Sequence, residues 1–189
     1  MPSLHTPHRQ HGFTLIEMAV TVSVLGLLLA AAAPSITDWL RNSRIRSVAT
    51  SVQTGLQKAR MEAIRRNQPV RFSLVTDACA LSNGGVAWVV SLNDPSGKCA
   101  ETNKDADPMI IDKSGSAVGA GSVVVAANAN SVSFNGFGQV TGATPITTIG
   151  IDNAVDGNDY RNLRIVVGSG GTVRMCDPAV TDATDPRRC

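Results

Sequence analysis

The sequence predicts an α+β protein in which a long N-terminal helix, with a transmembrane half and an amphipathic half, packs on an antiparallel β-rich globular domain. The first observation is an apolar run from residue 13 to residue 33. The second is a set of apolar residues at three- and four-residue spacing just after that run, which is typical of one helix face. The third is a C-terminal series of short, Val-rich segments separated by Gly, Asn and Asp clusters, which indicates strands joined by turns.

The apolar run 13–33 predicts a membrane anchor. A helix of that length rises about 31 Å, close to the thickness of the hydrocarbon core of a bilayer. The alternative is a buried core helix of a soluble domain, although such helices usually carry a polar face. The polar leader 1–12 ends in Gly12, so cleavage there would leave the anchor on the mature chain with a new amine on Phe13.

Glu17 is the one charged residue of the run 13–33. An unpaired carboxylate in a membrane is costly, which makes Glu17 a functional candidate that needs a partner. The Phe13 amine of the same chain or of a neighbouring chain would supply the opposite charge. The alternative is that Glu17 reaches the lipid headgroups and has no role in assembly.

The amphipathic half, residues 34–67, is expected to continue the helix to about Arg66. Its predicted buried face consists of Ile45, Val48, Val52, Leu56, Ala59 and Ala63. Asn67 and Pro69 then favour a helix end. The β-rich domain is assigned to 68–189, with strands at 70–75, 86–91, 122–126, 131–134, 138–141, 146–150, 163–167 and 172–176. Most of 93–122 is expected to be a variable loop.

The residue inventory argues against catalysis and cofactors. All three histidines, His5, His8 and His11, lie in the leader, so the mature chain would lack the commonest general base and the usual zinc ligand. No Walker A or G-x-G-x-x-G motif is present. We therefore expect no enzyme activity, no catalytic residue, no cofactor and no metal.

The four cysteines, Cys79, Cys99, Cys176 and Cys189, favour disulfides in an exported domain. Three connectivities are possible, and the local pairs Cys79–Cys99 and Cys176–Cys189 are the ones we expect. The alternative is a zinc site built from all four thiolates, although no C-x2-C pair supports it.

The N-terminal segment "GFTLIE" with its apolar run resembles the class III signal and helix of type IV pilins and pseudopilins. Segment 32–70, "VSFNGFGQVTG" (132–142) and "RIVVGSGGTVRMCDP" (164–178) are similar to the GspH/FimT branch of minor pilins. The resemblance implies that a prepilin peptidase cuts between Gly12 and Phe13 and methylates Phe13. It also implies that Glu17 pairs with the amine of a neighbouring subunit during assembly.

Basic residues suggest a further possibility. Seven lie between Arg41 and Arg66 with one acid, Glu62, which fits either phosphate contact or a solvated face with charge pairing to neighbours. FimT-like pilins linked to DNA uptake carry G-R-x-R near the C-terminus, and the matching stretch here, "GTVR" (171–174), has Thr172 in place of the first arginine. Candidate DNA-binding residues are Arg164, Arg174, Arg187 and Arg188; the alternative is a solvated tail closed by its disulfide.

Three functions follow from these observations. The first is a minor pilin of a type IV pilus, and the second is an H-type minor pseudopilin of a type II secretion system. The third is a DNA-binding module exposed on a pilus. In each case the chain is expected in the inner membrane with its C-terminal domain in the periplasm, and its partners are the prepilin peptidase, other major and minor pilins and, for the third function, DNA.

Overall fold

The computed structural model describes residues 13–115, 122–154 and 161–189, with the side chains of residues 31–37 left out. The described residues form one long helix, α1 (Leu15–Arg66), and nine strands. The strands are β1 (Val70–Val75), β2 (Ala87–Ser91), β3 (Ile110–Lys113), β4 (Val123–Ala127), β5 (Ser131–Phe134), β6 (Val140–Thr141), β7 (Thr148–Asn153), β8 (Leu163–Val167) and β9 (Val173–Cys176). This is the predicted α+β class.

The chain divides into two units, residues 1–39 and residues 40–189. In the first unit, all described side chains between Phe13 and Ala30 are exposed. The second unit contains every buried apolar residue of the described chain, from Ile45 to Cys176. Because this core includes no residue of the first unit, we expect the segment 40–189 to fold by itself.

Helix α1 buries the face that the spacing predicts. Ile45, Val52, Leu56, Ala59 and Ala63 are fully buried and Val48 is nearly so. The helix ends at Arg66, and Asn67 follows with a positive φ of 49°, the left-handed conformation of a helix C-cap. Thus the spacing of apolar residues correctly predicts the buried face of this helix, and Asn67 and Pro69 correctly predict its end.

The strands form two antiparallel sheets. Sheet A has the order β3-β2-β1-β5-β6, and sheet B has the order β4-β7-β8-β9. Phe72 and Leu74 of β1, Phe134 of β5, Ile149 of β7 and Ile165 of β8 are fully buried and join the apolar face of α1 in one core. This places the helix, sheet A and sheet B around a single apolar interior.

Strand predictions were right at most sites, with one error. Strand β3 (Ile110–Lys113) lies in the segment 93–122, most of which we expected to be a loop. Ile110 and Ile111 are half-buried beside β2, and the backbone of Lys113 pairs with that of Val89. A four-residue strand with only two apolar residues has too short a pattern for period-two analysis, so pairing with β2 decides its structure.

Candidate functional site

Thr14 and Glu17 form the start of α1. The backbone N–H of Glu17 donates to Thr14 Oγ1 at 3.3 Å, so Thr14 acts as the N-cap residue. The spacing T-L-I-E is that of a capping box, in which the acid at the third helical position complements the cap. This local role was not predicted above, although the spacing of Thr14 and Glu17 could have indicated it. Glu17 therefore has a structural reason to be acidic besides any pairing with an amine.

The expected processing site lies partly outside the described residues. Gly12 and the rest of the leader 1–12 fall outside them, whereas Phe13 is described and 79% exposed. The expected anchor 13–33 also extends into residues whose side chains are not described. Within the part of the chain that the structure covers, no helical segment is both long and apolar enough to span a bilayer.

Both cysteine pairs are bonded in the local arrangement, Cys79 with Cys99 and Cys176 with Cys189. No cysteine is free in this structure, so it contains none of the thiolates that the alternative zinc site would need. Among the described residues, no group of three His, Cys, Asp or Glu side chains is arranged to hold a metal ion. The first bond closes a 20-residue interval after β1, and the second attaches the C-terminal segment to β9.

Sheet B brings two of the four candidate arginines together. Arg164 of β8 lies opposite Cys176 of β9, and Arg174 lies opposite Val166, so Arg164 and Arg174 are diagonal neighbours on one exposed face. However, the Arg174 guanidinium donates to the carbonyl oxygens of Arg188 (3.1 Å) and Cys189 (3.5 Å). Arg174 therefore holds the C-terminal segment in place in this structure.

Arg187 and Arg188 lie beside that face and differ in their pairing. The Arg187 guanidinium contacts the Asp185 carboxylate at 2.6 Å. This hydrogen-bonded ion pair, together with the backbone N–H of Arg187, lowers the pKa of Asp185 to about 2. Arg188 is exposed, and its backbone pairs with Asp177. Arg164 and Arg188 are thus the two candidates whose side chains the C-terminal contacts do not occupy.

Most of the basic residues between Arg41 and Arg66 of α1 make contacts within the protein. Lys58 Nζ lies 2.7 Å from Asp112 Oδ2, and Arg65 and Arg66 both bind Glu62, at 2.6 and 2.8 Å. The hydrogen bonds from Arg65 and then Arg66 lower the pKa of Glu62. These pairs favour the interpretation of a solvated, internally compensated face over that of a continuous phosphate-binding surface.

Arg60 connects the helix to turns of both sheets. Its guanidinium donates to the carbonyl oxygens of Gly138 (3.1 Å), in the β5–β6 turn, and Gly170 (3.5 Å), in the β8–β9 turn. Gly171 has a φ of +78°, and a Cβ there would overlap the Gly138 carbonyl oxygen. The turn GSGG (168–171) between β8 and β9 is therefore a packing site for a second turn, with glycine required at residue 171 by both conformation and space.

Two family models match this chain. The model for the type II transport protein GspH matches residues 48–171, about two thirds of the sequence, and the model for the prokaryotic N-terminal methylation motif matches residues 7–33. The chain belongs to the GspH family. The GspH match covers α1 from Val48 onward and the strands β1 to β8, while the methylation motif covers Gly12, Phe13 and Glu17.

Individual relatives of this GspH-family chain are pilins. It is 28% identical over 110 residues to the type IV narrow pilus major component PilA5 of Thermus thermophilus, a match that covers 57% of this chain and 90% of that protein. Two crystal structures of the type IV minor pilin FimU from Pseudomonas aeruginosa are also similar, with TM-scores of 0.49 and 0.46 and 12% identity. These matches cover 74% and 72% of this chain and 96% and 99% of the FimU chains.

Proposed function

We propose that this chain is a structural subunit of a type IV pilus, processed by a prepilin peptidase and assembled with other pilins from the inner membrane, with residues 40–189 in the periplasm. The N-terminal methylation motif over residues 7–33 carries the proposal. The similarity to PilA5 favours a type IV pilus over a type II secretion system. In this role the chain acts by docking, so no catalytic residue or cofactor is needed.

In the proposed mechanism, cleavage between Gly12 and Phe13 frees the amine of Phe13, which is then methylated. The apolar helix stores the subunit in the membrane until assembly. Glu17 pairs with the Phe13 amine of a neighbouring subunit, which offsets the cost of a carboxylate in apolar surroundings. The Thr14 cap fixes the helix start, so that Glu17 lies one turn from the amine along the chain.

The cleavage test compares Gly12→Val with the unmodified chain in cells that contain the peptidase. A bulky residue should prevent the close approach of the backbone that glycine allows, so the variant should keep its leader. N-terminal sequencing reports the outcome. If both chains begin at Phe13, the requirement for glycine is wrong, and if the unmodified chain does not begin at Phe13, the assignment of the cleavage site is wrong.

The assembly test separates pairing from capping at Glu17. Glu17→Gln keeps a side chain that suits a capping box but removes the charge, whereas Thr14→Ala removes the cap and keeps the charge. We expect Glu17→Gln chains to be processed yet absent from sheared filaments, and Thr14→Ala chains to enter them. Normal incorporation of Glu17→Gln would refute the pairing role.

A second candidate function is DNA binding on the outer face of sheet B. The observation that favours it is the placement of Arg164 diagonally to Arg174, with Arg188 in the adjoining C-terminal segment. The test is titration of residues 40–189 with duplex DNA at two salt concentrations. Arg164→Gln with Arg188→Gln should weaken binding, and binding should fall steeply with salt. The control is Arg65→Gln, and equal effects of the control and the double variant would exclude this face.

A further inference from the structure

The β5–β6 turn presents an aromatic side chain to solvent. Phe137 is 82% exposed, which is more than any other described aromatic residue of the unit 40–189. Ile64 of α1 is 48% exposed and lies next to this turn, since a Cβ on Gly138 would be 2.7 Å from Ile64 Cδ1. The exposed side chain of Phe137 is here named the Phe137 knob.

The backbone that carries Phe137 is held by several bonds. The side-chain oxygen of Asn135 accepts hydrogen bonds from the backbone N–H groups of Phe137 and Gln139, both at 3.0 Å. The Gly138 N–H donates to the Asn135 carbonyl oxygen at 2.8 Å, and the Arg60 guanidinium donates to the Gly138 carbonyl oxygen. An exposed aromatic residue on an ordered turn loses little conformational entropy on binding, which is the property of an interface anchor.

The same chain has an open, mostly apolar groove near the Val75 end of strand β1 in sheet A. Its volume is about 720 Å³, and Val75, Ala87 and Val89 are among the apolar residues that line it. Both cysteines of the Cys79–Cys99 disulfide also line it, as do the polar residues Asp77 and Lys113. This disulfide groove is open to solvent, mostly apolar in its lining, and larger than a phenyl ring requires.

The knob and the groove lie at opposite corners of sheet A. Strand β1 pairs with Phe134 at its Val70 end, beside the knob, and with Ala87 at its Val75 end, beside the groove. The sheet order places β6 and β2 three strands apart. From strand spacing and rise, the two features are separated by about 20 Å, so the knob of a chain cannot fill its own groove.

We propose that the Phe137 knob of one subunit inserts into the disulfide groove of a second copy of this chain. The inference rests on the proposed function as a filament subunit and names one contact between its globular units. A contact between two different surfaces is heterologous, and repetition of such a contact produces an open filament rather than a closed dimer. The knob supplies an ordered aromatic anchor, and the groove supplies the apolar walls that would exclude water from it.

The test uses the unit 40–189, which contains the complete core, with p-benzoylphenylalanine in place of Phe137. Irradiation at roughly millimolar protein, comparable to the effective concentration of tethered partners, should crosslink two copies. Mass spectrometry should locate the bond in the groove residues 75–79, 87–89 or 99–100. The control has the same photoreactive residue at Val124, which is 47% exposed on sheet B and should not give this product. No crosslink from position 137, or one outside the groove, would overturn the proposal.

A groove variant provides the reciprocal test. Ala78→Trp should fill the groove and reduce the crosslink by roughly tenfold or more, the loss expected when an aromatic anchor is excluded. Its matched control, Ala80→Trp, alters an exposed alanine two residues away that does not line the groove. Equal crosslinking in both variants would contradict the groove assignment. Because this unit lacks the anchor, either negative result leaves the filament function to be judged by the Glu17 and Gly12 variants.

Discussion

Substitution of Gly55 by alanine should have two opposite effects on stability, one through helix propensity and one through packing against sheet A. A glycine inside a helix normally destabilises it by about 1 kcal/mol relative to alanine, so the substitution would be expected to stabilise the protein. In this structure, however, a Cβ at residue 55 would lie 2.8 Å from two atoms of the Trp88 ring and 2.9 Å from Phe72 Cε2. These distances are shorter than van der Waals contact, and both rings belong to sheet A.

The packing cost should exceed the propensity gain. Extra methyl groups in a filled core cost about 1–3 kcal/mol, and two aromatic rings must move here, so the upper end of that range applies. Trp88 is also fixed by the hydrogen bond from its Nε1 to Ser51 Oγ at 3.0 Å, which limits its shift. Subtracting the gain of about 1 kcal/mol leaves a net loss of about 2 kcal/mol in the free energy of unfolding.

The assay is urea denaturation of residues 40–189, supported by thermal melting. A loss of about 2 kcal/mol corresponds to a decrease in Tm of roughly 4–8 °C for a unit of this size. The control is Thr54→Ala, an exposed position on the same helix, where the propensity gain should act alone and stability should not fall. If Gly55→Ala were as stable as the unmodified unit or more stable, the packing argument would be refuted.

Three further predictions concern the contacts outside the helix–sheet core. Replacing Cys176 and Cys189 together by serine should lower the free energy of unfolding by about 3 kcal/mol, measured by urea denaturation, because the closed interval is 13 residues; an unchanged midpoint would contradict it. Arg60→Met should destabilise the unit by about 1–3 kcal/mol in the same assay, since it leaves the carbonyl oxygens that it binds without their charged donor; Arg65→Met, on the exposed side, is the control. Asp185 should titrate by carboxyl NMR with a pKa of about 2, which should rise toward 3.8 in Arg187→Gln. Because the folded pKa is lowered, its contribution to stability is present above pH 4 and is lost as the pH falls toward 2; an ordinary pKa for Asp185 would show that the pair is not formed in solution.

Periodicity correctly predicted the helix and those strands in which the spacing of apolar residues matches the face that is buried. The buried face of α1 follows from residues such as Ile45 and Leu56, and the strand positions follow from alternating or continuous Val and Ile between turn residues. Strand β3 was missed because its last two residues, Asp112 and Lys113, are charged. Asp112 pairs with Lys58 of α1, a contact between distant parts of the sequence that no local pattern can indicate.

The candidate arginines show a similar limit of prediction from sequence. The sequence named Arg164 and Arg174 as candidates, and the structure places them on one face of two adjacent strands. The sequence did not show that Arg174 binds backbone carbonyl oxygens of the C-terminal segment, because such contacts depend on how that segment folds back after Cys176. The number of positive charges near a motif therefore overestimates how many are available to phosphates.

The β5–β6 turn and the β8–β9 turn are both bound by Arg60. The same guanidinium binds the turn that carries Phe137 and the turn that contains Gly171, and the backbone of Gly171 packs against Gly138. Any side chain at residue 171 would have to displace the Gly138 carbonyl oxygen, and with it the turn that holds Phe137. A Gly171→Ala variant of the photoreactive unit should therefore crosslink less, even though residue 171 does not belong to the knob or the groove. Gly170→Ala is its matched control, since a Cβ there meets nothing within 4 Å. Equal crosslinking in the two variants would show that Phe137 does not need an ordered turn to bind.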